Sequence, residues 1–268
     1  MTKLCIYHGN CADGFSGAWV VRKALGDVEF HAGVYQNPPP DVTGKDVVLV
    51  DFSYKRQEME SIVDRAASVL VLDHHKTAEE DLRGLTGATV VFDMERCGSM
   101  IAWDFYFPRD PVPPLLNHIQ DRDLWRFALR KTREIQASVF AYEYRFDVWD
   151  FLMSADLDLL ASEGEAIERK HFKDIRELTQ VVTRDMTIGG HSVPVANLPY
   201  TLTSDAGHLL AKDKPFAGCY WDTPEGRVFS LRSTETGMDV SEIAKQYGGG
   251  GHKHASGFRV PYGHELAR

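Results

Sequence analysis

The sequence predicts an α/β protein with an N-terminal, mainly parallel sheet flanked by helices and a smaller C-terminal α/β domain. Strand-like apolar runs alternate with helical segments over roughly the first 90 residues, which is typical of βαβ units. Several of these runs end abruptly in a histidine or an aspartate. Beyond residue 185 the pattern changes to short strands separated by Gly, Pro or Asp turns, which indicates a second domain.

The N-terminal elements follow from their apolar patterns. A first strand at 3–8 precedes a helix that opens near Asp13 and continues to about Leu25. Three prolines at 38–40 exclude a sheet ladder there, because proline has no amide hydrogen to donate. The remaining elements predicted for this half are a strand at 29–34, a strand at 47–51, a helix at 55–67, and strands at 69–73 and 88–92.

Beyond Gly98 the apolar period becomes helical. An aromatic-rich helix over 98–107 is interpreted as sheet-covering core, and a second helix after the prolines of 108–114 leads into 117–125. The charged segment 151–184 suits a connecting helix. We therefore predict an N-terminal domain at 1–150, a helical connector at 151–185 and a C-terminal domain at 186–268. The C-terminal domain should contain strands at 186–188, 193–196, 216–220 and 227–232, and helices at 204–211 and 240–247.

Composition limits the classes of function. With 43% hydrophobic and 26% charged residues the chain is typical of a globular protein, and disorder is not indicated. A formal net charge of −9 disfavours a long footprint on duplex DNA, although it permits a small anionic substrate. No apolar run is long enough to span a membrane, and the N-terminus lacks a signal-peptide layout. The four cysteines show no CxxC spacing, so we expect a cytoplasmic protein with reduced thiols; the oligomeric state stays open.

Residues with metal-binding chemistry follow three of the predicted strands. His8 ends the first strand, Asp51 ends another, and Asp73-His74-His75 ends the next along the chain. Because the carboxyl ends of parallel strands meet at one edge of a sheet, these side chains should lie together. Each has an ordinary alternative when taken alone: a solvated loop for Asp73-His74-His75, and a helix N-cap for Asp13. Three such strand ends in one chain favour a metal site.

A fourth acidic cluster lies further along the chain. Asp121 and Asp123 flank Arg122, and Trp125 and Phe127 indicate that this turn is partly buried. A surface ion pair is the ordinary alternative. Buried carboxylates need a cation or hydrogen bonds, so either aspartate is a candidate ligand.

The second chemical stretch is the glycine run at 248–251, which is followed by His252, Lys253 and His254. Four consecutive glycines are entropically costly unless something must approach the backbone closely. A row of amides beside basic side chains predicts a phosphate cradle. A flexible surface loop fits less well, because a strand resumes at Phe258.

The order of these motifs resembles the DHH-family phosphoesterases that carry the DHH-associated C-terminal domain. Val50-Asp51, Asp73-His74-His75 and the glycine run with His252 occur in the family's order over nearly the whole chain. This combination is specific, whereas a bare Asp-His-His is not. The superfamily includes RecJ-like exonucleases, oligoribonucleases, dinucleotide phosphodiesterases and pyrophosphatases. The resemblance implies a metal-site domain, a substrate-binding domain and an active site in the cleft between them.

The resemblance also implies roles for individual residues. Asp51, His74 and His75 would be catalytic, with Asp51 bridging two metal ions, Asp73 supporting His74, and His75 facing the substrate phosphate. Asp121 is preferred over Asp123 because it ends the preceding helix. The metal ligands implied are His8, Asp13, Asp51, His74 and Asp121, with Cys11, Asp73 and Asp123 as further metal or supporting residues. The substrate-binding residues implied are His75, Arg232, Gly249, Gly250, Gly251, His252 and Lys253.

One position departs from the family pattern. Cys11 stands where the first aspartate of an Asp-x-Asp motif is usual. A thiolate ligand would soften the site toward zinc or cobalt. We prefer a Cys11 that is not a ligand, with His8 compensating.

The resemblance implies a manganese-dependent phosphodiesterase that holds two ions, with magnesium or cobalt as alternatives. It would hydrolyse short oligonucleotides or dinucleotides to mononucleotides by two-metal activation of water. The alternatives are a phosphatase of a small bisphosphorylated nucleotide, a pyrophosphatase, and a non-catalytic nucleotide-binding module. Because the sequence has no Lys/Arg track with interleaved aromatics, we expect substrates of about two to four nucleotides and no activity on duplex DNA.

Overall fold

The computed structural model describes residues 2–268 and divides into two compact units. The N-terminal unit extends to Glu168 and the C-terminal unit is Arg169–Arg268. The division falls within a long helix, α8 (Leu157–Val182), inside the predicted connector 151–185. The two units are described separately below.

The sheet of the N-terminal unit has five parallel strands in the order β2-β1-β3-β4-β5. Its strands are β1 (Lys3–His8), β2 (Glu29–Gly33), β3 (Asp46–Val50), β4 (Ser68–Asp73) and β5 (Thr89–Phe92). The strand order reverses between β1 and β3, which lie side by side. In open α/β sheets, ligands bind beyond the carboxyl ends of the strands at such a switch point. The predicted α/β class with a parallel sheet is confirmed.

Helices cover both faces of this sheet. One layer packs against strand residues such as Cys5, Val48 and Leu72, and the other against Ile6 and Leu49, which point to the opposite face. The predicted aromatic helix is core, since Trp103 is buried. The helices are α1 (Ala12–Leu25), α2 (Arg56–Arg65), α3 (Lys76–Leu82), α4 (Gly98–Tyr106), α5 (Pro114–Asp123), α6 (Thr132–Val139), α7 (Phe146–Ser154) and the first part of α8.

The C-terminal unit is built on a six-stranded sheet in the order β10-β11-β9-β8-β7-β6. Only the β7–β8 pair is parallel among its ladders. Within residues 2–268 no helix combines the length and apolarity needed to cross a membrane. The elements of this unit are β6 (Thr183–Ile188), β7 (His191–Asn197), α9 (Thr203–Leu210), β8 (Ala217–Thr223), β9 (Gly226–Arg232), α10 (Val240–Lys245), β10 (Gly250–His252) and β11 (Ala255–Val260).

Candidate metal centre

The candidate site lies where β1, β3 and β4 end. These three strands are neighbours, so His8, Asp51 and His74 are delivered to one edge of the sheet at its switch point. Asp51 directly follows β3 and has a left-handed backbone, with φ of 55°. A non-glycine residue in that region costs about 1–2 kcal/mol. This backbone conformation occurs where the chain leaves β3 and turns the Asp51 carboxylate into the site.

Asp51 is the centre of the cluster. Its Oδ1 lies 3.1 Å from Nε2 of His74, and its Oδ2 lies 3.4 Å from Nδ1 of His8. The carboxylate is buried, at 1% exposure. Its two oxygens therefore face two different imidazoles, which is the arrangement that a bridging carboxylate needs.

Two groups of ligand atoms that lie wholly within the N-terminal unit meet at this centre. Within each group the atoms lie within 4.8 Å of one another, and a single ion could contact them all. The Asp51 contact with His74 joins the two groups. One group is His8, Asp51 and His75; the other is Asp13, His74 and Asp123.

Asp13 holds an adjoining helix as well as facing the site. Its carboxylate accepts hydrogen bonds from the amides of Gly98 (2.6 Å) and Ser99 (3.0 Å) and from the Ser99 hydroxyl (2.5 Å). Gly98 and Ser99 are the first residues of α4, so Asp13 caps α4 and not its own helix. Its Oδ2 lies 3.9 Å from Nε2 of His74. The N-cap alternative is thus wrong for the helix that Asp13 opens, whose N-cap is Cys11; Asp13 instead binds the start of a helix 85 residues away in the chain.

Gly98, at the start of α4, packs directly against the backbone of Asp51. A Cβ added at Gly98 would lie 2.5 Å from the Cβ of Asp51 and 2.7 Å from its Cα. Only a residue without a side chain lets the start of α4 come this close to β3.

Asp73 supports the histidine pair. Its Oδ2 accepts from the hydroxyl of Ser53 at 2.7 Å, and its Oδ1 accepts from Nδ1 of His75 at 2.8 Å. The backbone amides of His74 and His75 also donate to Asp73. A histidine that donates from Nδ1 presents Nε2 as its acceptor nitrogen, so Asp73 sets the tautomer and the ring orientation of His75.

The preference for Asp121 over Asp123 needs correction. Both oxygens of Asp121 are turned away from the site and accept hydrogen bonds from Ala128, Leu129 and Thr132. Oδ2 of Asp123 lies 3.5 Å from Nε2 of His74. The two aspartates are two residues apart on a helix, about 200° around its axis, so only one can face the histidine. Asp123 replaces Asp121 in the proposed ligand set.

The electrostatics reflect crowded carboxylates around one imidazole. Burial alone would lower the pKa of His74, but its bond to Asp51 and the charges of Asp123, Asp51 and Asp13 raise that pKa to about 10. Burial and the charge of Asp13 raise the pKa of Asp123 to about 7. Burial opposes ionisation of Asp51 too, yet the hydrogen bond from His74 and the positive charge of His8 hold its pKa well below the usual range. The metal-free site therefore retains protons that a divalent cation would replace.

The donor set fits a divalent cation. It consists of carboxylate oxygens and imidazole nitrogens, which together suit manganese and related ions. Oδ2 of Asp51 is buried, and no group within residues 2–268 donates a hydrogen bond to it. A buried carboxylate oxygen without a donor is costly unless a cation neutralises it.

Cys11 lies beside the carboxylates and is absent from both ligand groups. Burial, and then the charges of Asp51, Asp123 and Asp13, raise the pKa of the Cys11 thiol well above its ordinary value. The preferred interpretation, in which Cys11 is not a ligand, stays a prediction.

Tyr35 is a residue at the site that the sequence interpretation missed. Its ring contacts those of His8, Phe52 and His75, with centroids 5.3, 4.7 and 5.9 Å away. It is 39% exposed, so one side of the ring is open to solvent. It follows the end of β2 at the same sheet edge as the ligands, and that position was the available signal.

In the C-terminal unit, Arg232 and His252 are aligned across three strands. Arg232 pairs with Ala255, and Ala255 pairs with His252, so all three side chains leave the same face of the sheet. The Arg232 guanidinium donates to the hydroxyls of Ser230 (2.9 Å) and Ser204 (2.8 Å). This face thus presents an oriented cationic group and, two strands away, an imidazole.

The glycine run differs from the predicted cradle loop. Gly250 and Gly251 belong to β10, which pairs with β11. A Cβ at Gly249 would lie 2.1 Å from the carbonyl oxygen of Gly257. Close packing against β11 therefore accounts for glycine at this position without a ligand. Lys253 is exposed in the turn between the two strands.

Sequence comparisons identify two curated relatives. An uncharacterized protein, R106, of Acanthamoeba polyphaga mimivirus is 33% identical over 282 aligned positions, covering 94% of this chain and 66% of that protein. Oligoribonuclease NrnB of Bacillus subtilis (strain 168) is 27% identical over 232 positions, covering 76% of this chain and 56% of the relative. The chain thus spans less than two thirds of the length of either. No protein-family model matches the sequence.

Among solved structures, the pGpG-specific phosphodiesterase PggH of Vibrio cholerae aligns over 97% of this chain and 94% of its own, at 14% identity and a TM-score of 0.49. That similarity is too low to carry a functional inference. In sequence, the chain is similar to a bacterial oligoribonuclease over about three quarters of its length.

Proposed function

We propose that this protein is a metal-dependent phosphodiesterase that hydrolyses short oligonucleotides or dinucleotides to mononucleotides. The observation that carries the proposal is the pair of ligand groups joined at Asp51, at the switch point of a parallel sheet. The 27% identical relative, an oligoribonuclease, supports the substrate class.

In this proposal the residues of the N-terminal unit hold two divalent cations, with manganese preferred. Asp51 with His8 and His75 would hold one of them, and Asp13, His74 and Asp123 would hold the other. Such cations, when bound, supply Lewis-acid polarisation of phosphate oxygens and lower the pKa of water. His75, whose Nδ1 donates to Asp73, would face the substrate phosphate; in its protonated form it would also donate from Nε2 to a phosphate oxygen and offset charge that develops there.

The C-terminal unit would hold the substrate. Arg232 offers a guanidinium that Ser204 and Ser230 already orient, which reduces the entropy lost on binding a phosphate. His252 extends from the same face of the sheet. We propose that these two residues, with Lys253 and the adjoining glycines, contact the phosphate and base of a short substrate.

The test is a product screen with manganese on four substrate classes: a dinucleotide, a longer RNA, a cyclic dinucleotide and a bisphosphorylated nucleotide. The expected result is mononucleotide from the dinucleotide, separated by liquid chromatography, with Asp51→Asn as the inactive control. Release of inorganic phosphate from the bisphosphate alone would replace the proposal with a phosphatase. No turnover of any class by a protein that binds manganese would favour a nucleotide-binding module.

A further inference from the structure

Asp121 is a buried carboxylate that the proposed chemistry does not use. It is 4% exposed. Its Oδ1 accepts from the amide of Ala128 at 2.8 Å, and its Oδ2 accepts from the amide of Leu129 at 3.0 Å and the hydroxyl of Thr132 at 2.6 Å. Three donors on one carboxylate, all from the segment that follows α5, indicate a dedicated structural task.

The same residue also engages the segment through its backbone. The Asp121 carbonyl oxygen accepts from the amides of Arg126 (2.9 Å) and Phe127 (3.2 Å). The Thr132 hydroxyl is in turn 2.8 Å from Nδ1 of His118, so the contacts continue back into α5. One aspartate therefore closes the chain from 126 to 132 onto the end of the helix.

The backbone between residues 125 and 131 is strained, so it requires hydrogen bonds that hold it in place. Trp125, Phe127 and Lys131 all have left-handed φ values, of 56°, 48° and 68°. Each costs about 1–2 kcal/mol for a residue with a side chain. Hydrogen bonds to a buried, charged acceptor contribute about 1.5–3 kcal/mol each, which is enough to offset the strain.

The segment begins immediately after Asp123, the last residue of α5. The Asp123 carboxylate reaches Nε2 of His74 at 3.5 Å, and within residues 2–268 no hydrogen bond supplements that contact. Its side chain is partly exposed, at 24%. Its direction therefore depends on how the end of α5 is fixed rather than on partners of its own.

We infer that Asp121 is a positioning residue for the metal centre. With Thr132 it fixes the chain that leaves α5, and so orients Asp123 toward His74 and Asp13 for cation binding. The inference rests on the proposed function, because the cation is part of that function. It assigns the two aspartates of Asp121-Arg122-Asp123 to different tasks: one binds the cation and the other holds its neighbour in place.

The test compares threonine substitutions of matched shape. Thr132→Val removes the hydroxyl at nearly constant volume, and Thr132→Ser retains it. Thr179→Val is the control, since Thr179 is also buried and donates to the Ile175 carbonyl at 2.7 Å in the C-terminal unit. Manganese affinity is measured by titration calorimetry without substrate, and the melting temperature of each variant is recorded.

We expect Thr132→Val and Asp121→Asn to weaken manganese binding about 10- to 100-fold, as removal of a group that orients a ligand does. Thr132→Ser and Thr179→Val should stay within about twofold of the parent. If Asp121→Asn fails to fold, the Thr132→Val and Thr132→Ser pair decides the question.

Unchanged manganese affinity in folded Thr132→Val would overturn the inference. Equal weakening by Thr179→Val would also overturn it, because the effect would then be general destabilisation. A parent protein that binds manganese but hydrolyses no substrate would defeat the proposed function and leave the positioning role testable by the same affinities. A parent that binds no manganese would defeat both.

Discussion

Asp51→Asn should abolish hydrolysis while leaving the fold intact. Asparagine has the same shape and, like aspartate, tolerates the left-handed backbone that residue 51 adopts, with φ of 55°. The substitution removes the negative charge and replaces one carboxylate oxygen with an amide nitrogen that cannot coordinate a cation. Any loss is therefore attributable to charge and coordination rather than to backbone strain.

The magnitude follows from the contacts of Asp51. The rise of the His74 pKa from 6.5 to about 10 corresponds to a net gain of about 5 kcal/mol, after burial has opposed the charged form. Asp51, Asp123 and Asp13 all contribute to the rise, and Asp51 is the nearest at 3.1 Å. Loss of its charge should lower the pKa of His74 by about one unit or more. Turnover should fall on the order of 10³-fold or more, because one ligand group loses a member and the other loses the Asp51 contact with His74.

Three measurements check this prediction: histidine NMR titration of the metal-free protein, manganese stoichiometry, and turnover of a dinucleotide. Asp64→Asn, an exposed position on α2, is the matched control and should leave all three unchanged. A purified Asp51→Asn protein that bound two manganese ions and kept near-parent turnover would refute the bridging assignment. An unchanged His74 pKa would refute the electrostatic argument.

Four further predictions concern the rest of the site. Arg232→Ala and His252→Ala should lower kcat/KM by roughly 10²-fold and leave the metal content, measured by elemental analysis, unchanged. Loss of metal in either variant would contradict the proposal that these residues contact the substrate and not the cations. Turnover should be highest on substrates of about two to four nucleotides in an end-labelled length series, and equal digestion of a twenty-nucleotide strand, about ten times longer than a dinucleotide, would contradict this. Asp123, with a pKa of about 7, must lose its proton to bind a cation, so manganese affinity should fall as the pH drops through 7. Calorimetry in two buffers of different ionisation enthalpy measures the proton released, and a pH-independent affinity would exclude this linkage. Gly98→Ala places a methyl 2.5 Å from the Cβ of Asp51 and should lower stability by about 1–3 kcal/mol, checked by thermal unfolding; an unchanged melting temperature would show that α4 can move away.

The parallel sheet and its functional edge could be predicted from the sequence because both signals are local. A strand buried on both faces must be apolar throughout, as in Val47-Val48-Leu49-Val50, and it becomes polar where it leaves the sheet at Asp51. The same logic located Asp73-His74-His75 at the end of β4. Parallel strands bring such ends together whatever the lengths of the connections between them.

Roles that depend on distant partners could not be predicted in this way. Asp13 caps α4 from 85 residues away, and no local pattern encodes that contact. The glycine run was correctly singled out as a place of close approach. The group that approaches Gly249, however, is the carbonyl oxygen of Gly257 on β11 rather than a ligand. Only the folded sheet brings these two residues together.

The choice between Asp121 and Asp123 shows this limit most clearly. Two carboxylates lie at the end of a helix, two residues apart, and the preference for Asp121 rests only on its position in the sequence. A helix turns 100° per residue, so these side chains point in nearly opposite directions, and the packing of α5 decides which one faces His74. The sequence by itself determined which side chains follow the ends of neighbouring strands, because that signal is local, whereas tertiary packing decided which helical aspartate lies beside His74.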